Sequence, residues 1–321
     1  MTSVDFNAWH MPVLTVETID ALSVKPDGLY LDLTAGGGGH SAAILEKLGK
    51  NGRLYAADRD PEALKICDAR LSGIETSATY KTVHASFSEF PDWLQQEELG
   101  HVDGLLADLG VSSHQLDSSA RGFSYLNDGP LDMRMNPEQS STAADILSAI
   151  PESELVALLR LYGEERYATL IARAIIRARE KKTINRTAEL AQIVSGAVPP
   201  HARREGNPAR KTFQALRMAV NGEQQELAHL LHAIPDVMSQ GGRAVVISFH
   251  SLEDRMVKQA MRRWQSPCEC PRDFPTCVCG KQPIGHQVSS KPQVATDEEI
   301  QDNRRARSAK LRVFEFGGGV A

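Results

Sequence analysis

The chain has 321 residues, 41% of them hydrophobic and 24% charged, an ordinary globular composition with enough length for two domains. Its net charge of −5 gives the chain as a whole no attraction for a polyanion. No stretch approaches the roughly 18 apolar residues of a membrane span, and the N-terminal residues lack a basic start followed by an apolar run. This reads as a cytoplasmic protein with no membrane partner.

The first third alternates strands and helices. Leu29–Leu33 is a short apolar run that leads into four glycines, Gly36 to Gly39, and Ser41–Leu48 then has helical spacing. Arg53–Ala57 predicts a second strand closed by Asp58, and Pro61 opens a helix at the position where proline is tolerated. Tyr80–His84 and Val102–Ala107 predict a third and a fourth strand, the latter ending at Asp108. Repeated strand–helix units with buried-type strands predict an α/β fold, a doubly wound, Rossmann-like parallel sheet.

The next strand of this type, Arg243–Phe249, comes more than 130 residues later, although a crossover needs only a few tens. The excess predicts an inserted all-helical domain, residues 117–217, within a discontinuous sheet domain of residues 1–116 and 218–321. Between Glu164 and Lys181, Tyr167, Leu170, Ile171, Ala174, Ile175 and Ala178 share one helix face, and Thr187 is placed to cap the next helix. Phe213, Leu216 and Val220 start a helix leading back to the sheet, Leu252–Trp264 reads as another, and Lys310–Phe316 as a closing strand. From Arg160 to Arg217 there are 13 Lys or Arg against 5 Asp or Glu, a local net of +8, and Arg304, Arg305, Arg307, Lys310 and Arg312 add a second basic patch. Both suit phosphate contact.

A glycine run between strand and helix lets a ligand approach the backbone and leaves the helix N-terminus open to polar groups. Asp58, 20 residues beyond Gly38, can accept both hydroxyls of a ribose. This pairing fits NAD and S-adenosylmethionine alike, so a dehydrogenase stays open. Asp32 four residues before Gly36, Phe87 after the third strand as an adenine stack, and Asp108 at the end of the fourth all tilt toward the methyl donor. Four further features fall close together, Cys268-Glu-Cys270 and Cys277-Val-Cys279, a pattern that suits either a structural zinc or a reduced loop. Cys67 reads as a core residue.

Longer strings then converge. They include the His10–Val13 segment, Asp32–His40 (DLTAGGGGH), Asp108–Ser113 (DLGVSS), Arg121–Phe123, Asp128–Arg134 (DGPLDMR), Thr212–Arg217 (TFQALR), Ser248–Arg255 (SFHSLEDR) and Arg305–Arg312 (RARSAKLR). On these the chain closely resembles the bacterial 16S ribosomal RNA (cytosine-N(4)) methyltransferases, the MraW/RsmH family, from about residue 10 to residue 312. The resemblance implies an S-adenosylmethionine-dependent enzyme that methylates the exocyclic amino nitrogen of a specific cytidine in the decoding region. It implies 16S rRNA in the small ribosomal subunit as partner, leaves a homodimer open, and makes the insertion a substrate-recognition domain. By position it gives Gly38, Gly39 and His40 to the donor, Asp58 to its ribose, Phe87 to its adenine, and Asp108 and Gln115 to the rest of the donor site. One departure stands out: the family's usual Asn-Pro-Arg-Ala-Arg is Asn303-Arg-Arg-Ala-Arg307 here.

The cytosine amino group is a poor nucleophile, so the site must position it and accept its hydrogens. Asp108 and the carbonyls of Leu109 and Gly110 suit that task. His250, just after the fifth strand, is placed either to take a proton or touch the base, or to cap the helix that follows. A non-catalytic RNA-binding factor and a DNA amino-methyltransferase remain as rivals, the latter disfavoured by the loop after Asp108.

Overall fold

The computed structural model describes residues 12–204, 206–271, 276 and 278–317, so His10 and Met11 of the first motif, and Cys277, lie outside the described residues. The chain divides into two compact units, one comprising the residues up to Gly110 and from Gln225 onward, the other Val111–Gln224. The sequence put these junctions at residues 116/117 and 217/218, so the short helix Ser113–Asp117 falls with the insertion and not with the sheet.

The first unit begins with α1 (Thr15–Leu22), β1 (Leu29–Asp32), α2 (Gly39–Leu45), β2 (Arg53–Asp58), α3 (Pro61–Leu71), β3 (Thr79–His84), α4 (Phe90–Gln96) and β4 (Val102–Asp108). Asp60 accepts the Glu62 N–H and caps α3, with Pro61 at the first helical position as its spacing predicts. The seven-stranded sheet has the order β3-β2-β1-β4-β5-β7-β6, where β5 is Met238–Ser248, β6 Gly285–Gln287 and β7 Lys310–Phe316. The strands from β1 to β5 are parallel, and β7 runs antiparallel to β5. Chain direction across the sheet reverses between β1 and β4, and ligands of such sheets bind outside the strands' carboxyl ends at that switch.

Strand residues alternate between the two faces. Leu29, Leu31, Leu105, Ala107, Ala244 and Val246 pack into one core cluster, whereas Tyr30, Leu54, Leu106, Val245 and Ile247 pack into the other. Helix α4 and the later helices Glu223–Val237 and Ser251–Gln265 cover the first face, and α1, α2 and α3 cover the second.

The second unit contributes α5 (Ser113–Asp117), α6 (Ala143–Ala149), α7 (Glu152–Gly163), α8 (Ala168–Arg179), α9 (Thr187–Ala197) and α10 (Ala209–Asn221). Its core is separate, built on Leu155, Leu159, Ile171, Ile175, Leu190, Val194, Phe213 and Leu216. Two sequence expectations shift here. Glu164, in the left-handed region at φ 46°, ends α7 and delays α8, and Leu170 turns outward at 45% exposure while Ala172 is buried. Thr187 does not cap its own helix. It sits inside α9, donates to the Asn127 carbonyl at 2.9 Å and accepts the Gly129 N–H at 3.0 Å, tying α9 to the loop of the Asp128–Arg134 motif. The helix back to the sheet is two helices, α10 and α11 (Glu223–Val237), broken at Gly222. α12 (Ser251–Gln265) and α13 (Asp297–Asp302) complete the helices, and the turn Arg304–Ser308 forms without the family's proline because Asn303 accepts the Arg305 N–H. No helix among the described residues is long and apolar enough to cross a membrane.

Candidate functional site

β1 ends at Asp32, and the chain must reverse there to start α2. Asp32 holds that turn: one carboxylate oxygen accepts the Ser41 hydroxyl at 2.6 Å, the other the Thr34 N–H at 3.2 Å. The Thr34 hydroxyl in turn accepts the Asp108 N–H at 2.6 Å, which locks the glycine loop to the end of β4. Gly38 lies in the left-handed region at φ 78°, and a Cβ there would stand 3.0 Å from both Cα and Sγ of Cys67. A Cβ on Gly39 would stand 2.7 Å from Cγ of Pro12. Both glycines are therefore demanded by the protein's own packing.

Asp58 closes β2 and clamps the same loop, with Oδ2 accepting the Gly36 N–H and Oδ1 the Asp60 N–H, each at 2.8 Å. A carboxylate has about four lone-pair positions, so two remain for a ligand's hydroxyls. Phe87 starts the turn after β3 and is half-buried. The Arg59 guanidinium lies 6.0 Å from its ring centroid, donates to the Ser86 hydroxyl at 3.2 Å and pairs with Glu226 at 3.6 Å. Glu226 also accepts the hydroxyls of Ser86 and Ser88. Sequence reasoning missed this network. Arg59 adjoins Asp58 and could have been flagged, but Glu226 is 140 residues from Ser86 and carries no local signal.

Asp108 closes β4. Its Oδ2 lies 3.9 Å from His40 Nδ1, and its Oδ1 is buried with no hydrogen-bond partner among the described residues. His40 Nε2 stands 3.0 Å from the Val13 carbonyl, which can only accept, so this nitrogen carries a proton and Nδ1 faces Asp108. Burial drives the Asp108 carboxyl well above the ordinary carboxylate range, and the charges of Asp32 and Glu253 push it further. Burial likewise raises Asp32 and Asp58 to about 6 against the hydrogen bonds that lower them. This end of the sheet thus gathers three buried carboxyls, Asp32, Asp58 and Asp108, of which Arg59 lowers Asp58. A positively charged ligand is what such a field binds.

His250 resolves as the helix cap. Its Nδ1 accepts the Glu253 N–H at 3.4 Å at the start of α12, and its Nε2 lies 2.9 Å from Glu253 Oε1. Nε2 is buried and makes no hydrogen bond among the described residues. Gln115 belongs to the second unit, where it and Ser112 form the capping box of α5. The other residues that the resemblance assigns to a donor, Gly38, Gly39, His40, Asp58, Phe87 and Asp108, lie at or just after the carboxyl ends of β1 to β4.

The basic residues divide. Arg179 holds the carbonyls of Leu147 and Ile150, Arg186 pairs with Asp128, and Arg217 pairs with Glu223. Lys181, Arg204 and Arg210 are exposed, with no ion pair among the described residues. In the C-terminal patch, Lys310 and Arg312 both bind Asp254, at 3.2 and 2.7 Å, and Arg312 is buried. These two join β7 to α12, and the buried Arg312 is withdrawn from phosphate contact. Arg304 and Arg307 remain exposed.

The model of the MraW methylase family matches residues 7–317. Three curated relatives carry the name ribosomal RNA small subunit methyltransferase H. The protein from Carboxydothermus hydrogenoformans is 49% identical over 306 residues, spanning 95% of this chain and 97% of the relative. That from Symbiobacterium thermophilum is 48% identical over 304 residues, spanning 94% and 95%. That from Heliobacterium modesticaldum is 47% identical over 308 residues, spanning 95% and 98%.

Proposed function

The chain belongs to the MraW methylase family, and on that premise we propose that it methylates the exocyclic amino nitrogen of one cytidine in the decoding region of 16S rRNA. It is a methyltransferase acting on small-subunit rRNA, and its methyl donor is S-adenosylmethionine. One observation carries the site assignment: the buried Asp108 Oδ1 without a hydrogen-bond partner among the described residues, in a field of like charges. The residues present fit the donor. Asp58 retains lone pairs for ribose hydroxyls, the half-buried Phe87 offers a ring face to adenine, and the excess of carboxyls suits a cation.

When bound, S-adenosylmethionine supplies an electrophilic methyl group on a positively charged sulfur. The chain's residues do the rest by position. Asp32, Thr34 and Asp58 fix the loop that carries Gly38, Gly39 and His40. A positive charge beside Asp108 favours its ionised form, which can then accept an amino hydrogen of the base and share the positive charge that develops on nitrogen. His250 caps the N-terminus of α12, with Nε2 left without a hydrogen bond among the described residues. The second unit serves as the rRNA-recognition domain. Its +8 stretch supports this, through Lys181, Arg204 and Arg210 in particular.

The test is transfer of labelled methyl from S-adenosylmethionine to naked 16S rRNA, assembled small subunits and DNA, followed by nucleoside mass analysis. The expected product is N4-methylcytidine in rRNA at a single position. Label in DNA, or in another nucleoside, overturns the reading.

A further inference from the structure

We propose that Cys268, Cys270 and Cys279 form a structural zinc site, independent of methyl transfer. The three sulfurs lie within 4.8 Å of one another. A tetrahedral zinc with Zn–S bonds of about 2.3 Å holds its sulfurs roughly 3.8 Å apart, so small side-chain rotations bring them into register. None of the three is in a disulfide, although their crowding would allow one. Cys277 lies outside the described residues, and the site is argued without it.

The surroundings match a thiolate cluster. The Val278 N–H donates to Cys270 Sγ at 3.4 Å, the kind of backbone bond that orients a sulfur ligand and stabilises its negative charge. Gly280 follows Cys279 at φ 66°, a left-handed turn that lets the chain fold back immediately after a ligand. The Lys281 ammonium bonds Glu269 at 2.5 Å and so bridges the two arms of the loop.

The loop also needs a cross-link. It joins α12 to β6, and at its ends the Ser266 N–H bonds the Arg262 carbonyl and the Ile284 N–H bonds the Trp264 carbonyl. Between them the described apolar side chains face water, Val278 at 71% exposure and Ile284 at 40%. A loop with so little buried apolar surface does not offset its ordering entropy through packing. A metal bound by the three thiolates provides that free energy, and a sulfur-rich donor set without redox demands, with one tetrahedral position left for a fourth ligand, selects zinc.

The experiment uses the full chain, purified under reducing conditions without chelator. Metal is measured by mass spectrometry, and zinc is then displaced by Co²⁺ with absorption recorded. We expect one zinc per chain and the near-ultraviolet thiolate-to-cobalt charge-transfer bands of a tetrahedral site. Cys268→Ser and Cys279→Ser should lose both. Cys67→Ser should keep both, because Cys67 is buried between α3 and the glycine loop with its thiol pushed up to about 12. The cobalt spectrum of the parent chain keeps the test valid if a variant fails to fold. A parent chain that retains no zinc and shows no charge-transfer band overturns the proposal, as does equal metal loss in Cys67→Ser.

Discussion

Gly38→Ala separates what the fold demands from what the ligand demands. Gly38 holds φ 78°, where a Cβ costs about 1–2 kcal/mol. The same Cβ meets Cα and Sγ of Cys67 at 3.0 Å, and overpacking of a tight core costs about 1–3 kcal/mol. The variant should therefore lose about 2–5 kcal/mol, a large part of the roughly 5–15 kcal/mol that stabilises a typical domain. Trp93 and Trp264 both sit in the core of the sheet unit, so denaturant unfolding followed by fluorescence reports on the affected unit. Gly38→Ala with Cys67→Ala should recover only part of the loss. The sulfur is removed, but the backbone contact and the left-handed φ remain. A Gly38→Ala chain as stable as its parent, yet unable to bind S-adenosylmethionine by calorimetry, would refute this reasoning and show that glycine serves ligand approach alone.

Asp58→Ala should weaken donor binding roughly 10- to 100-fold, the loss of charge-assisted hydrogen bonds worth about 1.5–3 kcal/mol, measured by calorimetry. Asp108→Asn should lower kcat at least about 100-fold while rRNA affinity in filter binding stays nearly constant; equal losses in both would contradict its place at the reacting atoms. Asp58 at about 6 binds hydroxyls best when ionised, so donor affinity should fall as pH drops through 6, and a flat profile from pH 5 to 8 would count against the assignment. The stability linkage has the opposite sign. Asp32 is raised from 3.8 to about 6 on folding, the folded state holds its proton more tightly, and stability falls as pH rises from about 4 to 6, by roughly 3 kcal/mol. Asp32→Asn should flatten that slope in denaturation at a series of pH values. Arg312→Ala should destabilise the sheet unit by about 2 kcal/mol. Arg304→Ala with Arg307→Ala should instead leave stability unchanged and reduce the salt dependence of rRNA binding.

Local rules made much of the fold legible. Pro61 after Asp60, the apolar runs of β1, β2 and β4, and the glycine turn after Asp32 are all set by residues a few positions apart, whose preferences act within one turn. The phase of α8 was not legible, because Glu164 in a left-handed conformation shifts where the helix starts. Nor was the division of the basic residues. Lys310 and Arg312 look like their neighbours Arg304 and Arg307 in sequence, and only the approach of Asp254 from α12 separates them.

By itself, the sequence determined that a doubly wound sheet carries a helical insertion, and that Asp32, Asp58, Phe87 and Asp108 fall at strand ends where a cofactor would lie. It also carried the motifs that tie the chain to its family. Tertiary structure alone decided what each of those residues does. It made Gly38 and Gly39 packing requirements of Cys67 and Pro12, and brought Arg59 to Phe87 and Glu226 to Arg59. It also raised Asp108 by setting it among Asp32 and Glu253 in a buried site. The reason is physical: a carboxyl's charge and a glycine's necessity depend on neighbours within a few ångströms, and here those neighbours are tens to well over a hundred residues away in the chain.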